Sequence, residues 1–336
     1  MLTEKENYLM TMRGEQPEWV PRSTFPSPGR PPATAMAMTS ILQGTRNMIT
    51  GGRDIWGVEF VTTRDTGGMA LPKPGRFILD DIRKWRDVIK APDLTGVDWE
   101  MMAKKDMEHI DRSQTAVSAM LNVGYFQQLC NFMGFTNGLT AMIEEPDEVI
   151  ALFEYLNKFY LAVGEKVRDY YRPDVWSIAD DNATAINPFF SPEMYREMIK
   201  PFHASEARIG VEMGVPVDMH DCGRCEDFIP DWLDIGVTCW NPAQLMNNLK
   251  GIKAKYGNRL VLCGCWDSSG PASWPGAAEE TVRQAVRDCI DAFAPGGGFV
   301  FWADLYGPAD DPEYQERVRW VTEEYDAYGR TFYQTH

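Results

Sequence analysis

A chain of 336 residues, 44% hydrophobic and 24% charged, is long enough to bury a sizeable core and to run as one α/β unit, since barrels of alternating strands and helices commonly reach this size. Its formal net charge of −16 argues against a nucleic acid or an anionic membrane as partner, because either demands a basic face. No apolar run approaches the roughly 20 residues of a membrane span, and the start Met1-Leu2-Thr3-Glu4-Lys5-Glu6 lacks the charged-then-apolar pattern of a signal peptide, so the expected location is cytoplasmic.

Thr3-Glu4-Lys5-Glu6 has the form of a capping box, in which the Thr3 hydroxyl and the Glu6 carboxylate each serve the other's backbone amide, and it predicts a helix to about Gly14. Val20 to Phe25 reads as a first strand. The run Pro26-Ser27-Pro28-Gly29-Arg30-Pro31-Pro32 is expected to be irregular, because proline removes donors and restricts its neighbours. Asp54 to Val61 resembles a strand or hairpin arm, and Pro72 to Gly75 a turn before a short helix from about Asp81. Thr115 to Leu121 is strand-like and ends at Asn122-Val123-Gly124. From Pro146, where a missing N–H does no harm, Val149, Leu152, Phe153, Leu156, Phe159, Tyr160, Val163 and Val167 recur at helical spacing and predict a long helix with one buried face. Asp174 to Ala179 is another strand, terminating in Asp180-Asp181-Asn182, and Ser191-Pro192-Glu193 caps a helix expected to last until Gly214.

The order then becomes regular. Strand 216–222 precedes helix 226–235, strand 237–241 a helix ending at Gly257, strand 260–265 a helix over 278–292, and strand 299–303 a last helix opened by Asp311-Pro312 and closed by Gly329. Four successive βα units after at least three earlier strands imply a parallel sheet wrapped by helices. The expected fold is α/β, a (β/α)8 TIM-type barrel forming a single domain over residues 1–336, with an N-terminal helical and hairpin extension. An open doubly wound sheet fits less well: no Gly-x-Gly-x-x-Gly follows the first strand, and Gly296-Gly297-Gly298 precedes a strand rather than a helix.

Within strand 216–222, His220 and Cys222 are two residues apart and share one face. An imidazole and a thiolate converging at a strand end form half of a zinc site; a buried histidine beside a buried cysteine is the plainer alternative. The seven cysteines, at 130, 222, 225, 239, 263, 265 and 289, do not suit a disulfide framework in a chain with its own large core. A barrel brings the carboxyl ends of its strands into one mouth, and Asn122, Asp180, Asp181, His220, Cys222, Asn241, Cys265, Asp267 and Asp304 all fall at such ends. Singly, Asp180, Asp267 and Asp304 can equally be caps of the following helices.

Several segments carry a wider likeness: Glu4-Lys5-Glu6-Asn7 with Gly14-Glu15-Gln16-Pro17 and Val20-Pro21, Asp54-x-Trp56-Gly57, Ser191-Pro192-Glu193-Met194-Tyr195, Lys200-Pro201, His220-x-Cys222-Gly223, Gly236 and Gly264-x-x-Asp267. Together these resemble the uroporphyrinogen decarboxylase superfamily over nearly the whole chain. The His-x-Cys-Gly element is more like its cobalamin-dependent methyltransferases and O-demethylases than its decarboxylases. The resemblance implies zinc on His220 and Cys222, but the Cys that supplies a third ligand after the last strand is replaced here by Phe301-Trp302-Ala303-Asp304-Leu305. Cys265 or Asp304 is expected to take its place; a structural site of Cys222, Cys225, Cys263 and Cys265 is a further alternative. The Arg-rich segment with which decarboxylases grip porphyrinogen carboxylates is reduced to Pro28-Gly29-Arg30.

The expected function is a zinc-dependent methyltransferase moving a methyl group between a small substrate, such as an aryl methyl ether, and a corrinoid (cobalamin) carried by a separate protein. Asp180 or Asp181 would orient the substrate or serve as acid/base, and Tyr306 would hydrogen-bond it. Asn122, Asn241, Trp266 and Trp302 are expected to line the substrate site, although rim aromatics such as Trp240, Trp266 and Trp302 also serve packing. The alternatives are porphyrinogen decarboxylation and, in a different class, a non-catalytic corrinoid- or porphyrin-binding protein.

Overall fold

The computed structural model describes residues 2–23, 27–47, 50–63 and 70–335. The capping box forms as expected and starts α1 (Glu4–Met12). Residues 20–23 then run beside the last strand of the sheet: Arg22 bridges Phe301 in parallel, Phe301 N donates to Pro21 O at 2.8 Å and Ser23 N donates to Phe301 O at 3.1 Å. Residues 24 and 25 of the expected first strand, and Pro26 of the irregular run, lie outside the described residues. Next come β1 (Thr34–Met36) and a small antiparallel sheet of β2 (Gly52–Arg53), β3 (Glu59–Val61) and β4 (Leu71–Pro72), followed by α2 (Trp85–Val88) and α3 (Trp99–Asp106).

The large sheet continues with β5 (Ala116–Met120), α4 (Tyr125–Met133), α5 (Phe135–Glu144), α6 (Pro146–Lys166), β6 (Val175–Asp180), α7 (Pro192–Met198), α8 (Lys200–Met213) and β7 (Val217–Asp221). After these follow α9 (Ile229–Asp234), β8 (Val237–Ala243), α10 (Leu249–Tyr256), β9 (Val261–Cys265), α11 (Glu279–Phe293), β10 (Phe299–Trp302) and α12 (Pro312–Glu324). Its order is β1-β5-β6-β7-β8-β9-β10, every pairing is parallel, and it curls. This is a parallel α/β sheet with helices between successive strands. Among the described residues the sheet has seven strands, and residues 20–23 join its β10 edge through the one bridge at Arg22.

Alternation along the strands sorts the side chains into two layers. Outward residues such as Trp176, Ile178, Met219, Trp240, Leu262, Phe299 and Phe301 join the core beneath the helices. To this core α6 contributes Val149, Leu152, Phe153, Leu156, Phe159, Tyr160 and Val163, all buried as the helical spacing requires. Inward residues Ala116, Val175, Val261 and Val300 lie near the amino ends of their strands, where they pack with Cys239, Cys263 and Tyr8, Leu9 and Met12 of α1. The amino-terminal helix therefore stops the interior at one end and leaves the other, carboxyl end for a site.

One expected helix is two. The segment 191–214 breaks at Ile199, whose ψ of −49° comes with a φ of −124°, and Pro201 stands in the first turn of α8, where it lacks the N–H an uninterrupted helix would need. All seven cysteines are free thiols. No helix among the described residues is long and apolar enough to cross a membrane.

Candidate metal centre

The strand periodicity that separates the two layers also decides which polar strand ends meet. On β7, Asp218 and His220 point inward with Cys222 just beyond, whereas Met219 and Asp221 point outward. His220 Nε2 lies 3.9 Å from Cys222 Sγ. Asp181, at the end of the neighbouring β6, completes the cluster, and the ligand atoms of Asp181, His220 and Cys222 all lie within 4.8 Å of one another. Zinc bonds of about 2.0 Å to nitrogen and 2.3 Å to sulfur, set at a tetrahedral angle, put those two atoms about 3.6 Å apart. A nitrogen, a sulfur and a carboxylate oxygen at this spacing, all half-buried, fit a zinc ion with one position left open.

The histidine is held for such a role. Its Nδ1 and Asn241 Oδ1 are 2.7 Å apart, so with the Nδ1–H tautomer the ring donates to Asn241 and keeps its Nε2 lone pair free. Asn241 is oriented in turn, because its Nδ2 donates to Asp218 Oδ2 at 2.5 Å. Ser177 Oγ donates to the same oxygen at 3.2 Å and exchanges a 2.7 Å bond with Ser118 Oγ. A chain of polar side chains thus crosses the interior from β5 to β8 and ends on the imidazole. Asp218, which plays the central part in it, escaped the sequence reading, although the same period of two that joined His220 to Cys222 places Asp218 on their face.

Burial raises the carboxyl pKa of Asp181; the charge of His220 opposes the shift and that of Asp180 adds to it. Burial also pushes the Cys222 thiol well up, with Asp181, Asp221 and Asp304 adding to the effect. Asp304 is exposed just beyond β10, and partial desolvation raises its own pKa. Tyr306 belongs to the same electrostatic neighbourhood: its phenol is raised by burial first and by Asp304 second, with a contribution from Cys222, and its ring stacks on Trp274 at 4.6 Å. Trp302 points inward, with its ring centroid 6.5 Å from that of His220.

The remaining expected site residues are turned elsewhere. Asp180 points outward and is 1% exposed. Its carboxylate accepts from the backbone amides of Tyr125 and Phe126 at 3.1 Å and of Gln127 at 2.9 Å, and it lies 3.4 Å from His203 Nε2. It is the anchor of the first turn of α4 rather than a partner of the metal group. Cys265 would face inward by alternation, like Cys263. Backbone φ values of +114° at Gly264 and +58° at Cys265 turn it out into the helix-covered core, where Cys289 Sγ donates to its carbonyl at 3.5 Å. Among the described residues it is not in the metal group, and neither is Asp304. Cys225 donates to Asp221 Oδ1 at 3.3 Å on the outer side, so the alternative four-cysteine cluster does not gather. Asn122 donates to Glu206 at 2.6 Å, and Trp266 Nε1 donates to Ser273 Oγ at 2.6 Å. Both brace loops instead of lining the metal group. Asn241, expected to touch substrate, orients His220.

A curled parallel sheet wrapped by helices, with a candidate metal centre at the carboxyl ends of β6 and β7, defines an α/β protein of the barrel kind. The family model "Uroporphyrinogen decarboxylase (URO-D)" matches residues 96–303, and the chain belongs to this family. A methyltransferase from Methanosarcina mazei has the same fold, with a TM-score of 0.65 at 14% identity over 97% of this chain and 99% of that one. A B12-independent methionine synthase from Shewanella is more distant, with a TM-score of 0.42 at 10% identity over 84% of this chain and 76% of that one. A search of curated proteins finds no match.

Proposed function

We propose that the protein is a zinc-dependent methyltransferase that moves a methyl group between a small substrate and a corrinoid carried by a separate protein in the cytoplasm. This reading takes the curled sheet as a (β/α)8 barrel whose eighth strand is the segment at residues 20–23. The observation that carries it is the convergence of Asp181, His220 and Cys222 at the strand ends, with the histidine's Nε2 left free by Asn241. Bound there, zinc would supply a Lewis acid for the substrate heteroatom.

The chain's own groups account for the rest. Asn241 and Asp218 fix the imidazole and Trp302 gives the substrate an apolar wall beside it, as a methyl ether on an aromatic ring requires. Asp304, exposed just beyond β10, would serve as proton donor or acceptor to the heteroatom that loses or gains the methyl group, its pKa raised by partial desolvation. Tyr306 and Trp274 stack at the rim, where they limit the access of water. The family fold shared with the Methanosarcina methyltransferase agrees with this reading. Porphyrinogen decarboxylation fits less well, because the segment Pro28-Gly29-Arg30, expected to grip several substrate carboxylates, holds a single basic residue.

Zinc content measured by plasma emission, paired with methyl transfer from aryl methyl ethers to reduced cobalamin followed by absorbance, tests the proposal. It predicts one zinc per chain, lost in the double variant His220→Ala/Cys222→Ala together with transfer. Full zinc retention in that variant, or decarboxylation of uroporphyrinogen in place of methyl transfer, would overturn it.

A further inference from the structure

On the outer face of the sheet, away from the metal group, Arg22 is buried in a small cleft between residues 20–23, the loop at 27–33 and the end of the chain. The bridge that pairs Arg22 with the outward-facing Phe301 sets its direction, and its guanidinium lies over the Tyr325 ring at 4.4 Å. Arg22 is 8% exposed. Nη2 donates to Ser27 Oγ at 2.7 Å, but Nη1 is buried without a hydrogen-bond partner among the described residues. Arg30 and Arg330 line the same cleft, which has a free volume of about 20 Å³.

The charges around it do not balance. Three guanidinium groups face two carboxylates, and both carboxylates are already engaged: Glu4 accepts from Arg330 Nη1 at 2.6 Å, and Asp326 accepts from Ser27 Oγ at 2.6 Å. Arg30 reaches Glu4 only at 4.0 Å, with its side chain 43% exposed. Burial lowers the pKa of Arg22, as expected for a cation not fully compensated by its surroundings. A buried donor without an acceptor is costly, and the space beside it is large enough to admit a water molecule or a monatomic anion.

We propose that this cleft binds a monovalent anion of chloride size, held by Arg22 Nη1 with Arg30 and Arg330 around it. The anion supplies the missing acceptor and neutralises the surplus positive charge. It also ties the start of α1, through Glu4 and its arginines, to the first strand and to the carboxyl-terminal turn Tyr325–Gly329.

Two measurements on the full chain test it. Crystals soaked in sodium bromide should show an anomalous peak in the cleft beside Arg22, and water density or no anomalous peak there overturns the proposal. Thermal unfolding in sodium chloride against sodium gluconate at matched ionic strength should show a saturable chloride-specific rise in Tm of about 2 °C. That rise should vanish in Arg22→Met, while Arg30→Met, at a half-exposed side chain, should fold normally and need several-fold more chloride for the same rise. An identical response to the two salts in the wild type overturns the proposal, whether or not Arg22→Met folds.

Discussion

Replacing Asn241 by alanine takes away the acceptor that fixes His220 without touching a metal ligand. In the wild type the 2.7 Å bond from His220 Nδ1 to Asn241 Oδ1 selects the imidazole tautomer, and the 2.5 Å bond from Asn241 Nδ2 satisfies Asp218 Oδ2. Loss of an orienting partner of this kind lowers metal affinity roughly 10- to 100-fold, which corresponds to about 1.4 to 2.8 kcal/mol. The same change strips one hydrogen bond from the buried Asp218 carboxyl and should cost a further ~1–3 kcal/mol of folding stability. Zinc affinity is read by competition with a chromophoric chelator, and stability by urea denaturation of the zinc-free protein. The expected result is weaker zinc binding in Asn241→Ala at unchanged stoichiometry, with His220→Ala losing the ion outright. Zinc affinity within about twofold of wild type in Asn241→Ala, while His220→Ala abolishes binding, would refute the idea that the relay positions the ligand.

Zinc stabilisation should grow with pH. The raised pKa values of Asp181, Asp218 and Asp304 give the metal-free protein stability that is fully present below the unfolded carboxylate pKa of about 4 and is lost as pH rises through the folded values. Zinc requires Asp181 and Cys222 to be deprotonated, so the Tm difference with and without zinc should widen from mildly acid to mildly alkaline pH, with proton release on binding seen by calorimetry in buffers of different ionisation enthalpy. Cys265→Ala should leave zinc stoichiometry unchanged and cost on the order of 1 kcal/mol in packing, read by metal analysis and denaturation together. Gly124→Ala should be far more disruptive: φ is +106° and a Cβ there would meet Asp180 Oδ1 at 2.3 Å, so a loss of about 3 kcal/mol is expected in urea denaturation.

Where local pattern and final contact share a period, the sequence could be read directly. The helix from Pro146 shows this, as do the two-residue step from His220 to Cys222 and the βα alternation after residue 216. The misreadings have a common physical origin, in that each depends on a backbone event that residue types do not announce. Which of Asp180 and Asp181 faces inward depends on the register of the last turn of β6. Whether Cys265 reaches the interior depends on the left-handed conformations at Gly264 and Cys265, and the division of the helix at Ile199 depends on how α7 and α8 pack. The strand β1 is three residues long and pairs with β5 some eighty residues away, so little in its own composition marks it. The bond from His220 to Asn241 has no counterpart in the spacing of either strand, because it forms only once β7 and β8 lie side by side.

The adjacent carboxylates Asp180 and Asp181 have a mechanical consequence. One grips the first turn of α4 from outside the sheet, and the other faces the metal group from inside, with a single peptide unit between them. A displacement of α4 that carried Asp180 with it would therefore also move Asp181.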